Sequence, residues 1–438
     1  MDRVCSWARY PNYPQTAHPI TWRDQLPLEW RQVVASTGTT LAYGNGRSYG
    51  DSCLASSDHV LHMRHLDRFI AADWQAGTVR AEAGVTLQEL LAAAVPRGWM
   101  LAVTPGTQYV TLGGAVANDV HGKNHHVRGT FGRHVRRFAL LRSDGKVLEC
   151  SADNSPELYS ATIGGLGLTG VIVWVELQLM PIRSSDMNVT SLRFGNLDEF
   201  FALSEELDPL HEYTVAWVDC LQRGAHLGRG VFMVADHAET GRLSVPRKRK
   251  RTVPFAPPVS LVNPLTLRAF NAFYYHRHPA RTVRMTVDYD SYFYPLDGVL
   301  EWHRIYGRRG FQQYQCVLPP GESRTGMKAI LDAIGKSGTG SFLAVLKRCG
   351  DMVSPGLLSF PMAGTSLALD FPQHDAKNRR LFDILDAIVR EAGGRIYPAK
   401  DAHISGEDFR AAYPAWQRLE ALRDPALMSR FWQRTTQL

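Results

Sequence analysis

The chain has 438 residues, of which 45% are hydrophobic and 21% charged. This composition predicts a folded globular protein of two or three domains and excludes a largely disordered chain. The formal net charge is +7, but the run 247–251 alone contributes five of the positive charges. A basic groove spread over a folded face is therefore not indicated, and we expect no nucleic-acid partner. The six cysteines are scattered without a C-x-x-C pair, which excludes a disulfide scaffold or a zinc ribbon and fits a reducing compartment.

No stretch of the sequence predicts a signal peptide or a transmembrane segment. The most apolar run, residues 167–180, is interrupted by Glu176 and Gln178 and is too short to span a bilayer. We expect a cytoplasmic location, with peripheral contact to a membrane as the alternative.

The basic run 247–251 lies among prolines and predicts a mobile basic loop over about 240–284. Such a loop is either simply solvated or a contact for anionic lipid or a phosphorylated substrate.

The first 185 residues alternate glycine turns with short helices and strands. Residues 86–89 form a capping box that predicts a helix over 87–95. Ser155 predicts the N-cap of the next helix. The period-two apolar pattern of residues 171–179 predicts a strand.

Beyond residue 186 the sequence predicts strands separated by few, long helices. The predicted strands are 213–219, 230–235, 285–294, 311–318, 342–347 and 366–371, and the predicted helices are 325–336 and a segment around 381–389. This pattern favours an antiparallel sheet covered on one side by helices, an α+β arrangement.

Three glycine-rich loops precede residue 171. Residues 44–51 have the spacing G-x-G-x-x-x-G and are followed by turn residues rather than a helix, so a Rossmann site is not indicated. Residues 105–107 with 111–115 form the second loop, and residues 164–170 form the third. Each loop lets the backbone approach something bulky, so the three together favour an extended cofactor.

Two polar clusters could carry chemistry. Residues 121–126, HGKNHH, with His134 downstream, have the donors of a metal site but no carboxylate partner at helical spacing. A polar cluster at a cofactor is therefore favoured over a metal centre. Lys400 and Asp401 follow a predicted strand and are either a solvated ion pair or part of a site.

These motifs together resemble the FAD-linked oxidoreductases of the vanillyl-alcohol-oxidase type. The segments that carry the resemblance are GNGRSYGD (44–51), TLGG (111–114), NDVHGKNHH (118–126), GTFGRHV (129–135), GGLGLTG (164–170), FQQYQCVLP (311–319), SLALDFP (366–372) and YPAKDA (397–402). The resemblance implies an α+β fold of two domains, of the PCMH type. An FAD-binding domain would comprise residues 1–185, a substrate domain with an antiparallel sheet residues 186–394, and a return to the FAD-binding domain residues 395–438.

The resemblance also implies roles for individual residues. The FAD-binding residues would be Gly44, Asn45, Gly46, Arg47, Ser48, Tyr49, Gly50, Gly106, Thr111, Leu112, Gly113, Gly114, Asn118, His121, Val171 and Tyr397. The catalytic residues would be Lys400, Tyr49, His121 and Gln315, and the substrate-binding residues Lys123, Trp217, Gln313, Lys347 and Ser366. Because negative charge develops on the flavin as hydride arrives, Lys400 is either a fixed cation or the acceptor of the hydroxyl proton.

The resemblance implies oxidation of a secondary sugar hydroxyl, in a polyprenyl-phosphate-linked pentose of cell-envelope biosynthesis. A separate short-chain reductase would reduce the keto product, so that the pair of enzymes epimerises the carbon. Ala368 and Ser366 stand where family members acting on such pentoses carry cysteine and asparagine, which leaves the substrate open. The alternatives are an alditol or aldonolactone oxidase and, from another class, a protein that binds anionic surfaces or nucleic acid through residues 247–251.

We predict that FAD is bound without a covalent link. Sugar-lactone and alditol oxidases of the superfamily often carry a histidine, covalently joined to FAD, where this sequence has Arg47. Because arginine cannot form that bond, acid precipitation should release all the flavin into the supernatant. A yellow pellet would contradict the prediction.

Overall fold

The computed structural model describes residues 3–277 and 281–437. Its strands are β1 (Arg3–Val4), β2 (Gln15–Pro19), β3 (Leu41–Tyr43), β4 (His59–His62), β5 (Phe69–Asp73), β6 (Thr78–Glu82), β7 (Trp99–Met100), β8 (Val135–Leu141), β9 (Val147–Ser151), β10 (Val171–Gln178), β11 (Met180–Pro181), β12 (Asp186–Phe194), β13 (Tyr213–Val218), β14 (Gly230–His237), β15 (Arg251–Thr252), β16 (Thr282–Asp288), β17 (Val299–Leu300), β18 (Phe311–Leu318), β19 (Ala344–Cys349), β20 (Gly364–Pro372) and β21 (Arg395–Ile396). Its α-helices are α1 (Leu26–Thr37), α2 (Leu87–Ala94), α3 (Leu112–Ala117), α4 (His125–Arg128), α5 (Pro156–Thr162), α6 (Leu197–Leu207), α7 (Pro264–His276), α8 (Tyr289–Phe293), α9 (Pro320–Ser337), α10 (Asp375–Glu391), α11 (Gly406–Ala412), α12 (Trp416–Leu422) and α13 (Arg430–Thr436). The fold thus mixes helices with sheets that are mainly antiparallel.

The N-terminal part of the chain contains a five-stranded antiparallel sheet in the order β5-β6-β10-β8-β9. In the central strand β10, Val175 and Leu177 are buried while Glu176 and Gln178 are partly exposed, which confirms the predicted period-two pattern. A smaller sheet, β1-β2-β4-β3, precedes it in the chain. Helix α1 packs with this smaller sheet through buried Trp30.

The eight-stranded sheet occupies the later part of the chain, in the order β16-β12-β14-β13-β19-β20-β18-β21. Helices α6, α9 and α10 cover one face, where Phe200, Ile330 and Leu385 share the largest hydrophobic core. This agrees with the antiparallel sheet and the helical cover that the sequence predicts. After β21 the chain returns to the N-terminal part, where Leu427 forms a bridge with Thr40.

Several local predictions are confirmed. Thr86 and Glu89 form the capping box that starts α2, and the strand predicted over 311–318 coincides with β18. Two predictions are wrong in detail. Ser155 precedes α5 but has φ +53° and forms no side-chain cap hydrogen bond. The strand predicted over 285–294 ends at residue 288, because Asp288 accepts a hydrogen bond from Ser291 and caps α8.

The structure corrects the loop that the sequence predicts over 240–284. Strand β15 pairs with β17, helix α7 occupies Pro264–His276, and β16 pairs with β12 at the edge of the large sheet. Pro264 is the first residue of α7, a position where proline starts a helix instead of interrupting it. Residues 278–280 lie outside the described part of the chain, and the mobility of the segment stays a prediction.

The described residues contain no helix with the length and apolarity needed to cross a bilayer. All six cysteines are free thiols. Within the same residues, no three histidine, cysteine, aspartate or glutamate side chains gather as a metal site would require.

Candidate active site

A cavity of about 470 Å³ separates the glycine-rich loops from the eight-stranded sheet. On the loop side it is lined by residues 44–49, 104–107, 109–111, 113–114 and 166–167. On the sheet side it is lined by residues 215–217, 233, 313, 315, 343, 345, 347, 366, 368 and 370. A cavity of this size is typical of a cofactor or small-molecule site.

The sheet side follows from the register of strands β18, β19 and β20. The cross-strand pairs that line the cavity are Gln313–Asp370, Gln315–Ala368 and Lys347–Ser366. Because side chains alternate between the two faces of a strand, the intervening Tyr314 and Cys316 lie in the hydrophobic core on the opposite face. The alternation therefore collects polar side chains from distant parts of the sequence on one surface.

The first two glycine-rich loops contact each other. Nδ2 of Asn45 donates a hydrogen bond of 2.9 Å to the carbonyl oxygen of Tyr109. A Cβ on Gly44 would lie 2.4 Å from Oγ1 of Thr111, so the loops approach this closely only with glycine at that position.

At the first glycine-rich loop, two residues that line the cavity carry a buried polar donor without a partner in the described structure: Nε of Arg47 and Oγ of Ser52. Burial also lowers the pKa of Arg47, whose guanidinium lies 4.1 Å from the ring centroid of Trp7. An unpaired buried donor costs free energy, and phosphate oxygens would satisfy both atoms. A Cβ on Gly106 would meet no atom within 4 Å, so this wall leaves room for a bulky group. These residues fit the pyrophosphate of a dinucleotide cofactor.

His121 is held between two side chains of the sheet. Nζ of Lys347 donates to Nδ1 of His121 and, at 2.7 Å, to the carbonyl oxygen of Gly122. With Nδ1 as acceptor, the proton of the neutral ring lies on Nε2. The terminal amide of Gln315 lies 3.2 Å from Nε2, and with this tautomer the amide oxygen faces the ring, because only the oxygen can accept that proton. Burial, and then the charge of Lys347, lower the pKa of His121 well below its ordinary value. The ring is therefore a neutral hydrogen-bond donor at neutral pH.

The side-chain amines of Lys123 and Lys347 both donate hydrogen bonds to other groups of the protein. Burial, with the charge of Lys347, lowers the pKa of Lys123 to about 7, and burial lowers the pKa of Lys347 to about 8. Nζ of Lys123 donates to the carbonyl oxygen of Tyr292 and lies 4.0 Å from the centroid of its ring. Lys347 contacts His121 as described.

Lys400 differs from these two amines. Its Nζ lies 3.6 Å from the ring centroid of Tyr49 and donates no hydrogen bond to a described residue. Burial lowers the pKa of Lys400 while the Asp370 carboxylate raises it. Burial raises the pKa of Asp370, opposed by a 2.6 Å hydrogen bond from Gln313 and by the charge of Lys400. The net effect lowers the pKa of Lys400, which favours its neutral form. Its Nζ is available to a bound molecule.

The C-terminal helix α13 holds the two segments that carry Tyr49 and Lys400. Nε of Arg434 donates to Asp51 at 2.8 Å, and Nη2 donates to Asp401. The side chains of these two aspartates are 5% and 0% exposed. Since Asp51 follows the first glycine-rich loop and Asp401 follows Lys400, one guanidinium fixes both segments. Lys400 and Asp401 are therefore not the ion pair considered from the sequence.

Comparisons with known proteins agree with this site. A family model described as an FAD binding domain matches residues 23–151. The chain is 36% identical over 405 residues to the decaprenylphosphoryl-beta-D-ribose oxidase of Mycolicibacterium smegmatis, covering 88% of this chain and 86% of that protein. The chain belongs to the FAD-linked oxidoreductases of the vanillyl-alcohol-oxidase type. The predicted family and the predicted cofactor, FAD, are thus confirmed.

Two further relatives of this flavoenzyme differ in how much of the chain they match. An uncharacterised protein of Streptomyces coelicolor is 35% identical over 78% of this chain and 96% of its own length. The L-gulonolactone oxidase of Mus musculus is 30% identical over 169 residues, which is 37% of either chain. The similarity to the lactone oxidase is therefore confined to about a third of the flavoenzyme.

The cavity brings together most of the site residues predicted from the sequence. It is lined by Gly44, Asn45, Gly46, Arg47, Ser48, Tyr49, Gly106, Thr111, Gly113, Gly114, Asn118, His121, Lys123, Trp217, Gln313, Gln315, Lys347, Ser366, Tyr397 and Lys400. Gly50, Leu112 and Val171 do not line it. A Cβ on Gly50 would lie 1.6 Å from the carbonyl oxygen of Asp401, so this glycine serves the contact with the C-terminal segment. Leu112 and Val171 are 1% and 0% exposed and belong to hydrophobic cores.

Asp370 and Trp7 are among the cavity residues that sequence reasoning missed. Asp370 follows Ser366 and Ala368 at intervals of two in a predicted strand, so the alternation could have identified it. Trp7 has no local signal, because only folding brings it to Arg47.

The predicted histidine cluster disperses in the structure. Nε2 of His126 contacts the carbonyl oxygen of His211 at 3.0 Å, and Nε2 of His134 that of Arg128 at 3.2 Å. Within this cluster, His121 alone lines the cavity. The polar-cluster interpretation therefore applies to His121 and not to the other histidines.

We predict that Arg434→Ala lowers the free energy of unfolding by about 3 to 5 kcal/mol, because two buried carboxylates lose their counter-charge. Denaturant unfolding of the FAD-loaded enzyme measures this loss. Arg390→Ala is the matched control, since it removes an ion pair with Asp408 from an arginine side chain that is 56% exposed, and it should leave the midpoint nearly unchanged. Equal effects of the two variants would contradict the account.

Proposed function

We propose that the flavoenzyme oxidises a secondary hydroxyl of a polyprenyl-phosphate-linked pentose. Similarity over most of the chain to decaprenylphosphoryl-beta-D-ribose oxidase supports this substrate class. The observation that carries the proposal is the free amine of Lys400, which lies against Tyr49 and interacts electrostatically with Asp370. An alcohol oxidation of this kind needs such a group to take the hydroxyl proton.

Bound FAD supplies a hydride acceptor for the carbinol carbon of the substrate. Nζ of Lys400, in its neutral form, accepts the hydroxyl proton. The resulting ammonium interacts with the Asp370 carboxylate, which stabilises it in a site that burial otherwise makes unfavourable. With FAD bound, Lys400 would serve first as the proton acceptor and then as a fixed cation, so the two roles considered from the sequence would be successive stages of one role.

The neighbouring side chains position the sugar. Nε2 of His121 and the amide of Gln315 line the cavity and offer hydrogen bonds to hydroxyl groups. Lys347 fixes the ring of His121 in the tautomer that donates from Nε2. Ser366 and Ala368 lie next to them on the same sheet surface and are the positions where substrate preference would be set.

The rest of the cavity supports a lipid-linked substrate. Apolar and aromatic side chains from the eight-stranded sheet and α7 continue the wall beyond the polar end: Val215, Trp217, Met233, Tyr274, Leu343 and Val345. Such a wall would accept the first isoprene units of a prenyl chain. Lys123 also lines the cavity, and one of its N–H groups donates to the carbonyl oxygen of Tyr292. We assign its remaining N–H donors to the phosphate-bearing part of the substrate.

We further propose that this oxidation is the first half of an epimerisation. A separate short-chain reductase would reduce the keto sugar from the other face.

The enzyme would use a two-domain arrangement, with residues 1–185 and 395–438 binding FAD non-covalently and residues 186–394 binding the sugar. Seven of the eight strands of the large sheet lie within 186–394 and the eighth, β21, begins at residue 395. This sheet and the Arg434 contact between the first and last segments support the division.

We predict that Lys400→Ala slows flavin reduction by at least about a hundredfold, because a positioned charge or proton acceptor is typically worth that much or more. The measurement is anaerobic stopped-flow bleaching of the bound flavin by a short-chain prenylphosphoryl ribose, with flavin occupancy determined separately. The control is Lys328→Ala, which removes an exposed lysine of α9 and should bleach at the wild-type rate.

Two outcomes would overturn the proposal. One is a Lys400→Ala enzyme that keeps its flavin and bleaches like the wild type. The other is a wild-type enzyme that free alditols or aldonolactones bleach faster than the prenylphosphoryl sugar.

A further inference from the structure

Residues 247–277 form a strongly basic segment. They include seven lysine or arginine residues and no aspartate or glutamate. Lys248 pairs with Asp288 at 2.7 Å, Lys250 donates to the hydroxyl of Tyr109, and Arg277 stacks on Tyr274. The remaining cations are exposed, and their side chains form no ion pair with a described residue: Arg247, Arg249, Arg251 and Arg268. Their charge is therefore available to an external partner.

The same segment exposes large apolar side chains. On α7, Leu265 is 78% and Phe273 is 68% exposed, and both lie away from the face that buries Leu267. In the stretch before α7, Phe255 is 69% and Val259 is 73% exposed. Several large apolar side chains exposed within one short segment mark an interaction surface rather than an ordinary solvated face.

Both features lie on the wall of the active-site cavity. Strand β15, with Arg251, pairs with β17, whose residues line the cavity. Helix α7 packs inward through Leu267 onto Trp302 and Tyr306, and Trp302 lines the cavity as well. Tyr274 of α7 also lines it. The basic and apolar side chains thus project outward from the segments whose inner side encloses the cavity.

We infer that residues 247–277 dock the enzyme onto an anionic lipid bilayer, beside the active-site cavity. The arginines would bind lipid phosphates, while the exposed side chains of α7 and the stretch before it enter the acyl boundary. A bilayer interface is the partner that takes both sets of side chains, since nucleic acid would use the cations and leave the apolar side chains in water. The inference deepens the proposed function, because a polyprenyl-linked sugar resides in such a bilayer.

The test is flotation of the full-length FAD-loaded enzyme with vesicles of phosphatidylcholine, with or without phosphatidylglycerol. We expect binding to the anionic vesicles alone, weakened by salt. The charge variant Arg247→Gln/Arg249→Gln/Arg251→Gln should bind roughly a hundredfold more weakly, since each cation near an anionic surface contributes about a factor of five. The apolar variant Leu265→Ser/Phe273→Ser should bind more than about tenfold more weakly, because it removes two side chains from the acyl boundary.

Matched controls change the same chemistry elsewhere on the surface. Lys377→Gln/Arg379→Gln/Arg380→Gln removes three exposed cations of α10, and Leu28→Ser/Leu210→Ser removes two apolar side chains that are 60% and 69% exposed. Both controls should bind vesicles like the wild type. The inference is overturned if a control loses as much binding as its counterpart, or if the wild type binds neutral vesicles equally well. It is also overturned if the segment instead binds duplex DNA or pairs two copies of the chain.

A second measurement separates this inference from the proposed function. In vesicle-free buffer, both surface variants should be bleached by a water-soluble short-chain prenylphosphoryl ribose at the wild-type rate. Vesicle binding without any such bleaching would refute the proposed substrate and leave the docking surface standing. Bleaching without vesicle binding would refute the docking surface alone.

Discussion

A single guanidinium, that of Arg434, binds two buried carboxylates contributed by opposite ends of the sequence, and the active site depends on this contact. Asp51 follows the first glycine-rich loop, and Asp401 follows Lys400. The backbone amide of Tyr49 also donates a 2.9 Å hydrogen bond to the carbonyl oxygen of Ala399. The two segments are therefore fixed side by side, and the amine of Lys400 rests on the ring of Tyr49 as a consequence.

The electrostatics of the cavity distinguish its three buried amines. Burial lowers the pKa of Lys123, Lys347 and Lys400 alike. Protein acceptors bind the first two, namely the carbonyl of Tyr292 for Lys123, and His121 with the carbonyl of Gly122 for Lys347. Lys400 has the charge of Asp370 nearby but no hydrogen-bond acceptor in the described structure. The protein thus leaves one of the three amines available for proton transfer and uses the others to shape the site.

The parts of this site that depend on local patterns could be predicted from the sequence. The glycine-rich loops were identifiable because backbone approach requires glycine at positions such as Gly44. The polar surface of β18 and β20 follows from alternation along each strand. The contact between Arg434 and Asp51 spans 383 positions of the chain, and no local pattern indicates it. Resemblance to a family identifies whole segments without the direction of each side chain. The side chains of Leu112 and Val171, two residues that the resemblance places at the cofactor, lie in hydrophobic cores, so a contact between these residues and FAD stays a prediction.

The central claim is that Lys400 accepts the substrate proton as a neutral amine stabilised by Asp370. The most direct test is the pH dependence of anaerobic flavin reduction in the wild type and in Asp370→Asn. A base must be deprotonated to act, so the wild-type rate should rise with pH as the amine loses its proton. Removing the Asp370 charge takes away the influence that raises the pKa of Lys400, so the rise in Asp370→Asn should occur at lower pH. A rate that falls with increasing pH, or an identical profile in the two enzymes, would contradict the account.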